Sequence, residues 1–198
     1  MATTNPNNLS LNKLTRESLT QAVLLLMDEK PYSELRVTDI CLRAGVSRNA
    51  FYRNYPAKDA ILRRYLFEIT DEYRRRLRRN NPLTYKQLFD ALFLHLYKLK
   101  PLAKKILSAG LGYLITDIFF KSFVDLAHSE RFPVYSRCHL AGSLVSIFVH
   151  WAANNQPETP EEMSSLVCKL HRFDEKALLY LPPVTDIDSL MSNFIYNK

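Results

Sequence analysis

The fold is decided by a short stretch at residues 43–62, which reads RAGVSRNAFYRNYPAKDAIL. Gly45 stands where a helix ends in a left-handed residue, and Ser47 is a good N-cap for a helix that begins at the next position. Pro56 disfavours helical backbone at the residue before it, so this helix has to end there. The stretch therefore predicts a short helix over residues 48–54 that follows directly on a tight, glycine-containing turn.

A second short helix is predicted just before that turn, and another lies upstream of it. Thr38 is placed to cap the second helix. Its apolar residues recur at the spacing of one helical face: Val37, Ile40, Cys41 and Ala44. The upstream helix is predicted to start at a cap on Thr15 and to stop at Lys30-Pro31. Two short helices joined by a tight turn form a helix-turn-helix.

The rest of the chain predicts further helices and no sheet. Only 4 glycines and 10 scattered prolines suit helices separated by short breaks. The clearest start signals are Thr84 and the capping box Thr159-Pro160-Glu161-Glu162. Apolar periodicity places helices at 57–79, 84–99, 101–110, 113–127, after Pro133 and at 160–171, and a last short segment follows at 187–196. We therefore predict an all-α chain with a three-helix domain at 1–57 and a helical body at 58–198.

The positive charge is concentrated near the N-terminus. The net charge is +7, and residues 1–80 hold 15 Lys or Arg against 9 Asp or Glu, while residues 81–198 hold 12 against 11. This distribution favours a polyanion as partner of the N-terminal region, although a solvated cationic helix explains it equally well. The arginine run at 74–79 is interpreted as a solvated helix end because, at ~1.5 Å per residue, it lies ~25 Å along the helix from Lys58.

The helix at residues 48–54 has a face whose chemistry suits the DNA major groove. The second helix of a helix-turn-helix enters that groove with its N-terminal residues facing base edges. Arg48 can pair with guanine, Asn49 with adenine, and the Ala50 methyl can pack on a thymine methyl. Residues expected at the phosphate backbone are Thr38, Ser47, Tyr52, Arg53 and Lys58. Phe51 and Tyr55 should face the core, and the competing interpretation is a generic solvated face.

The residues around this motif resemble a known family. Residues 37–62, VTDICLRAGVSRNAFYRNYPAKDAIL, preceded by Arg16-Glu17-Ser18-Leu19, are similar to the DNA-binding region of the TetR (AcrR-type) transcriptional regulators. The features that carry the resemblance are Thr38, Ala44-Gly45-Val46-Ser47, Phe51-Tyr52, an aromatic residue at 55, and Lys58. The similarity covers about residues 14–66, and Lys30-Pro31 replaces the glycine that is usual between the first two helices.

This resemblance implies a sequence-specific regulator of transcription. It implies all-α subunits that form a homodimer on a palindromic operator in double-stranded DNA, and a repressor that a small-molecule effector releases. Residues 142–163 look like the last two helices of one TetR subgroup, which would form a four-helix dimer interface. The alternative function is a helix-turn-helix regulator whose body docks a coactivator-type partner protein.

Five aromatic residues of the body are candidates for an effector site. They are Phe93, Tyr97, Phe119, Phe120 and Trp151, and a plain aromatic core is the competing explanation. No role is predicted for segment 173–198, and the sequence names neither the effector nor the operator.

The remaining patterns exclude several classes of protein. No Ser/His/Asp, Cys/His or paired-carboxylate arrangement has helical spacing, so we expect no catalytic residues and no enzyme. Cys168 and His171 lack a second pair of ligands, so we expect no metal and no cofactor. Cys41, Cys138 and Cys168 are expected to be reduced thiols of a cytoplasmic protein. No membrane span and no apolar signal segment is apparent.

Overall fold

The computed structural model describes residues 6–79, 82–126 and 134–179. Over these ranges the chain forms nine α-helices, which confirms the all-α prediction. They are α1 Pro6–Glu29, α2 Val37–Ala44, α3 Arg48–Asn54, α4 Lys58–Arg78, α5 Tyr85–Lys98, α6 Lys100–Ser108, α7 Gly112–Leu126, α8 Val134–Ala153 and α9 Pro160–Leu170. A 3₁₀ turn at Tyr32–Glu34 joins α1 to α2. No helix among these ranges is both long enough and apolar enough to cross a membrane.

The chain divides into two compact units within α4, one reaching Leu66 and the other starting at Phe67. In the first unit α1, α2 and α3 pack against one another. Its fully buried side chains include those of Leu19, Val23, Ile40, Phe51, Ile61 and Leu62. The apolar faces predicted for the first three helices therefore form a common core.

Two predicted N-caps in this unit are wrong. Thr15 lies inside α1, where its hydroxyl donates to the carbonyl of Leu11 at 2.9 Å, because the helix begins at Pro6. Thr38 is the second residue of α2 instead of its cap. The carboxylate of Asp39 accepts the N–H of Arg36 at 3.1 Å, so an acidic side chain in the first turn supplies the capping hydrogen bond.

In the second unit α5 packs on α9, and α8 packs on both α7 and α6. Its predicted caps are confirmed, since the Thr84 hydroxyl accepts from Gln87 N–H at 3.1 Å and the Gln87 side chain accepts from Thr84 N–H at 2.9 Å. Thr159 and Glu162 form the same reciprocal pair at the start of α9. Buried residues of this core include Phe93, Ile106, Leu114, Ala141, Trp151 and Val167.

The residues after α9 fold back onto the start of α5. Phe173 stacks on Tyr85 with 4.5 Å between ring centres. Strand β1, Leu83–Thr84, then pairs antiparallel with strand β2, Leu178–Leu179. This two-stranded ribbon corrects the expectation of no sheet, and its two strands are too short and too distant in sequence for periodicity to detect. The short segment at 187–196 lies outside the described residues, as does the rest of segment 173–198 beyond Leu179.

Candidate nucleic-acid interface

The turn between α2 and α3 is closed by a glycine in the left-handed region. Gly45 has φ of +67°, and its N–H donates to the Leu42 carbonyl at 3.3 Å. The N–H of Val46 then donates to the carbonyl of Cys41 at 3.0 Å, which satisfies the end of α2. A Cβ at Gly45 would meet nothing within 4 Å, so backbone conformation, not lack of space, selects glycine here.

Helix α3 is capped at its start and anchored on one face. The Ser47 hydroxyl accepts the N–H of Ala50 at 3.1 Å, as predicted. Phe51 and Tyr55 are buried, with ring centres 6.2 Å apart. Because these two rings fix one side of the helix in the core, its other side is held toward solvent.

The predicted base-reading residues lie on that solvent side. Arg48 and Asn49 are exposed, and Ala50 is half-buried. Tyr52 is 51% exposed although it packs edge-to-face on Phe51. Arg53 is exposed as well. Within the described residues neither Arg48 nor Arg53 forms an ion pair, so their charges remain available to an anion.

The first turn of α2 and the cap of α3 present further polar groups. Thr38 and Ser47 are both exposed.

Two ion pairs connect the end of α1 to α2. Lys30 pairs with Asp39 at 2.7 Å, and Arg43 pairs with both carboxylate oxygens of Glu29. The hydrogen bond from Lys30, followed by that from the backbone of Arg36, lowers the pKa of Asp39. These ion pairs, which fasten α1 to α2, were not apparent from the sequence because their partners are 9 and 14 residues apart.

Lys58 occupies a different position from the other predicted contacts. Its ammonium donates to the carbonyls of Tyr32 at 2.7 Å and of Leu35 at 2.9 Å, and lies 4.3 Å from the centre of the Tyr32 ring. The Tyr32 hydroxyl in turn donates to Asp59 at 2.7 Å. Two of the three N–H groups of this ammonium are thus used inside the protein, where they attach the 3₁₀ turn to the start of α4.

The five aromatic candidates for an effector site do not form one group. Phe93 and Trp151 are buried and meet edge-to-face at 5.6 Å, with Tyr97 6.1 Å from Trp151. Phe119 stacks on Phe148. Of the five, Phe119 lines a cavity of about 60 Å³, and the other four are not among its lining residues. Phe120 is half-buried.

The described residues hold no group of three or more potential metal ligands. Cys168 is buried, and the His171 ring is hydrogen-bonded to the Ser143 hydroxyl at 3.0 Å.

Comparison with known proteins identifies the first unit. Residues 19–65 match the sequence model of bacterial regulatory proteins of the tetR family. No curated protein sequence matches the chain. Among solved structures, the dihydroxyacetone kinase operon activator DhaS is similar over 79% of this chain and 93% of its own, with 15% identity and a TM-score of 0.50. The fatty acid degradation regulator FadR from Bacillus halodurans is similar over 85% and 96%, with 16% identity and a TM-score of 0.47.

The similarity to DhaS shows a shared fold and nothing more. The family match covers the helix-turn-helix. The match spans the end of α1, all of α2 and α3, and the first part of α4, which are the elements that position Arg48, Asn49 and Tyr52. Residues 19–65 therefore form a helix-turn-helix region of the type found in bacterial regulatory proteins of the tetR family.

Proposed function

We propose that α3 is the recognition helix and that Arg48, Asn49 and Ala50 read base edges in the major groove. The supporting observation is the division of α3 into a face anchored by Phe51 and a face that exposes two arginines without ion pairs among the described residues. Arg48 would pair with guanine O6 and N7, the commonest specific contact in this groove.

The phosphate backbone would be held by the residues around this helix. Tyr52 and Arg53 are exposed on α3, and Thr38 and Ser47 are exposed at the starts of α2 and α3. Hydrogen bonds from such groups fix the register of a protein on DNA without reading its sequence. Lys58 would add at most one N–H to a phosphate, since it also positions the 3₁₀ turn.

The regulator would act as a homodimer on a palindromic operator. Helices α8 and α9 are proposed as the dimer interface, and two leucines of α9, Leu166 and Leu170, are 43% and 60% exposed. A twofold axis between two subunits would place the two α3 helices about one DNA turn apart, roughly 34–36 Å or somewhat more. The operator should then contain two inverted half-sites.

The body at 58–198 would bind a small effector, and this binding would release the domain at 1–57 from DNA. The regulator would act in the cytoplasm. Helix α4 is continuous from Lys58 to Arg78, so a ligand that changes its tilt would change the separation of the recognition helices. The effector can act only through different affinities for the two states. The cavity in the body favours a small ligand over a partner protein as the signal.

The test uses duplexes selected from a random library by the full-length protein, together with the promoter of its own gene. Arg48→Ala and Tyr52→Ala should each weaken binding tenfold or more, because each removes a direct contact with DNA. Arg79→Ala, an exposed arginine beyond α4, is the matched control and should leave affinity unchanged. Equal affinity of all three variants and the parent would refute α3 as the recognition helix.

A second assay tests the sign of regulation and the effector. A reporter driven by the selected operator should be repressed by the protein and induced by a metabolite that lowers DNA affinity. If a broad metabolite screen leaves DNA affinity unchanged and a partner protein alters it, the body instead docks that partner.

A further inference from the structure

The residues that follow α9 form a strap, defined as residues 173–179, which runs back to the start of α5. Helix α9 ends at Leu170, and Arg172 has a left-handed backbone with φ of 53°. The N–H of Phe173 donates to the carbonyl of Cys168 at 3.0 Å, which closes the end of the helix and reverses the chain. A residue with a side chain is strained in this conformation, so the reversal depends on the contacts that the strap makes beyond it.

The first residue of the strap attaches it to α5 through an aromatic stack. The Phe173 ring lies 4.5 Å from the ring of Tyr85, with 5° between their planes, and 5.7 Å from the ring of Phe89. His171, two residues earlier, is hydrogen-bonded to the hydroxyl of Ser143 on α8 at 3.0 Å. The beginning of the strap is therefore attached to both α5 and α8.

The backbone of the strap completes the start of α5. The first N–H groups of a helix have no partner within the helix itself. The strap serves two of them, since Tyr85 N–H donates to the Ala177 carbonyl at 3.3 Å and Lys86 N–H donates to the Glu175 carbonyl at 3.4 Å. Both distances exceed the usual upper limit of about 3.2 Å for an N–H···O bond, so these two bonds are weak.

The far end of the strap packs beside the end of α4. Strand β2 pairs with β1 so that Leu179 lies opposite Leu83. Leu179 packs against a buried cluster made of Leu77, Leu83 and Leu88, and Tyr73 packs against the same cluster. Leu77 and Tyr73 belong to α4. The strap therefore joins the C-terminal part of α4 to the start of α5.

Little of the strap is buried. Phe173 and Leu179 are half-buried, Leu178 is 59% exposed, and residues 174–176 are exposed. Segments with few buried apolar contacts open locally at a smaller free energy than the whole protein requires. The strap is therefore able to detach while α4 and α5 stay folded.

We propose that the strap is a two-state element that sets DNA affinity: closed, it holds the C-terminal part of α4 in the position that binds the operator, and open, it weakens operator binding. Helix α4 is continuous from Lys58 to Arg78, so a loosened C-terminal end widens the range of positions that α3 occupies. Linkage then requires that the operator stabilise the closed strap in return. This inference rests on the proposed function for its effect on DNA, and the local opening itself does not.

Hydrogen exchange of the full-length protein measures the opening directly. The amides of Tyr85 and Lys86 should exchange through a local opening, faster than the amide of Leu92 in the interior of α5. Saturation with the selected operator duplex should slow exchange at the two strap-bonded amides by about threefold or more, beyond any change at Leu92.

Substitution of the two side chains that anchor the strap gives a second readout. Phe173→Ala and Leu179→Ala should each speed exchange at both amides and lower operator affinity about tenfold, because a twofold-symmetric complex loses two straps. Phe173→Leu keeps an apolar anchor and should lie between Phe173→Ala and the parent protein. Leu114→Ala truncates a buried leucine of α7 and is the control for general destabilisation. Measured where circular dichroism shows it folded, it should leave operator affinity unchanged.

Three results would overturn the inference. Exchange of Tyr85 and Lys86 only together with Leu92 would mean that the strap does not open by itself. Exchange that the operator leaves unchanged would mean that the strap and DNA are not coupled. Equal losses of operator affinity in the strap variants and in Leu114→Ala would mean that the strap only stabilises the body.

The remaining outcomes are separable from these. If Phe173→Ala does not fold, exchange in the parent protein and the affinity of Leu179→Ala still decide between a coupled and an uncoupled strap. Failure of the parent protein to bind any operator would refute the proposed function, and with it the effect of the strap on DNA. Exchange measured without DNA would still show whether the strap opens locally.

Discussion

Lys58 lies over the ring of Tyr32, with its ammonium 4.3 Å from the ring centre and 2.7 Å from the carbonyl oxygen of the same residue. The first residue of α4 is thereby attached to the turn that joins α1 to α2. Since this turn leads directly into α2, the attachment fixes where the helix-turn-helix begins. The same lysine was predicted from the sequence to contact a DNA phosphate. Substituting it should reduce stability if its role is structural, and DNA affinity alone if it only contacts phosphate.

Lys58→Met should destabilise the first unit. It keeps most of the aliphatic stem and removes two charge-assisted hydrogen bonds and the contact with the Tyr32 ring, for a loss of about 2 kcal/mol in the free energy of unfolding. Urea unfolding followed by circular dichroism measures this, with the exposed Lys13→Met as control. A variant with unchanged stability and reduced DNA affinity would show instead that the ammonium serves phosphate alone.

Gly45→Ala should also destabilise the protein, by about 1 kcal/mol, because an L-residue at a φ of +67° is strained. Gly112→Ala is the control, since its added Cβ would lie 3.5 Å from Leu107 in ordinary contact, without a left-handed backbone. Thermal unfolding of the two variants should separate them. A Gly45→Ala protein as stable as Gly112→Ala would contradict the account of the turn.

Two neighbouring residues at the start of α2, Thr38 and Asp39, should differ in their effect on stability. Asp39→Ala removes the carboxylate that accepts from Arg36 N–H and from Lys30, so it should lower the midpoint of thermal unfolding. Thr38→Ala should change stability by less than about 0.5 kcal/mol because the threonine is exposed and caps nothing. Thr38→Ala should instead weaken DNA binding. Equal losses of stability in both variants would restore Thr38 as a cap.

The stability of the protein should depend on pH through His95. Its folded pKa of about 4 lies below the ordinary value of 6.5, so the unfolded chain takes up the proton first. The contribution is therefore complete above about pH 6.5 and is lost as the pH falls toward 4. His95→Phe should show a smaller decrease in urea midpoint between pH 7.5 and 5.0 than the parent protein. An identical decrease in both would mean that His95 is not buried as a neutral ring.

Local signals explain why the helix-turn-helix could be predicted from sequence. Gly45, Ser47 and Pro56 each act on backbone within a few residues, and together they determine the bounds of α3. The cap predicted for α2 was wrong for a different reason. Several polar residues near a helix start can serve the same N–H groups, and spacing does not reveal that Asp39 reaches them before Thr38.

Features that depend on distant partners could not be predicted. Tyr73 lies on α4 and His95 on α5, and helical periodicity does not show that their rings stack on one another. Phe173 and Tyr85 are in contact although they are far apart in the sequence of the second unit. The aromatic residues chosen for an effector site were selected by composition, which does not distinguish the packed pair Phe93 and Trp151 from a cavity wall.

The most direct test of the central claim compares specific and non-specific DNA affinity at one salt concentration. Arg48→Ala should reduce the ratio of operator to random-duplex affinity about tenfold or more, because a bidentate base contact is worth about 1–3 kcal/mol of discrimination. Arg53→Ala should weaken both duplexes alike and leave the ratio unchanged, because a phosphate contact carries no sequence information. If Arg48→Ala also leaves the ratio unchanged, α3 does not read the operator.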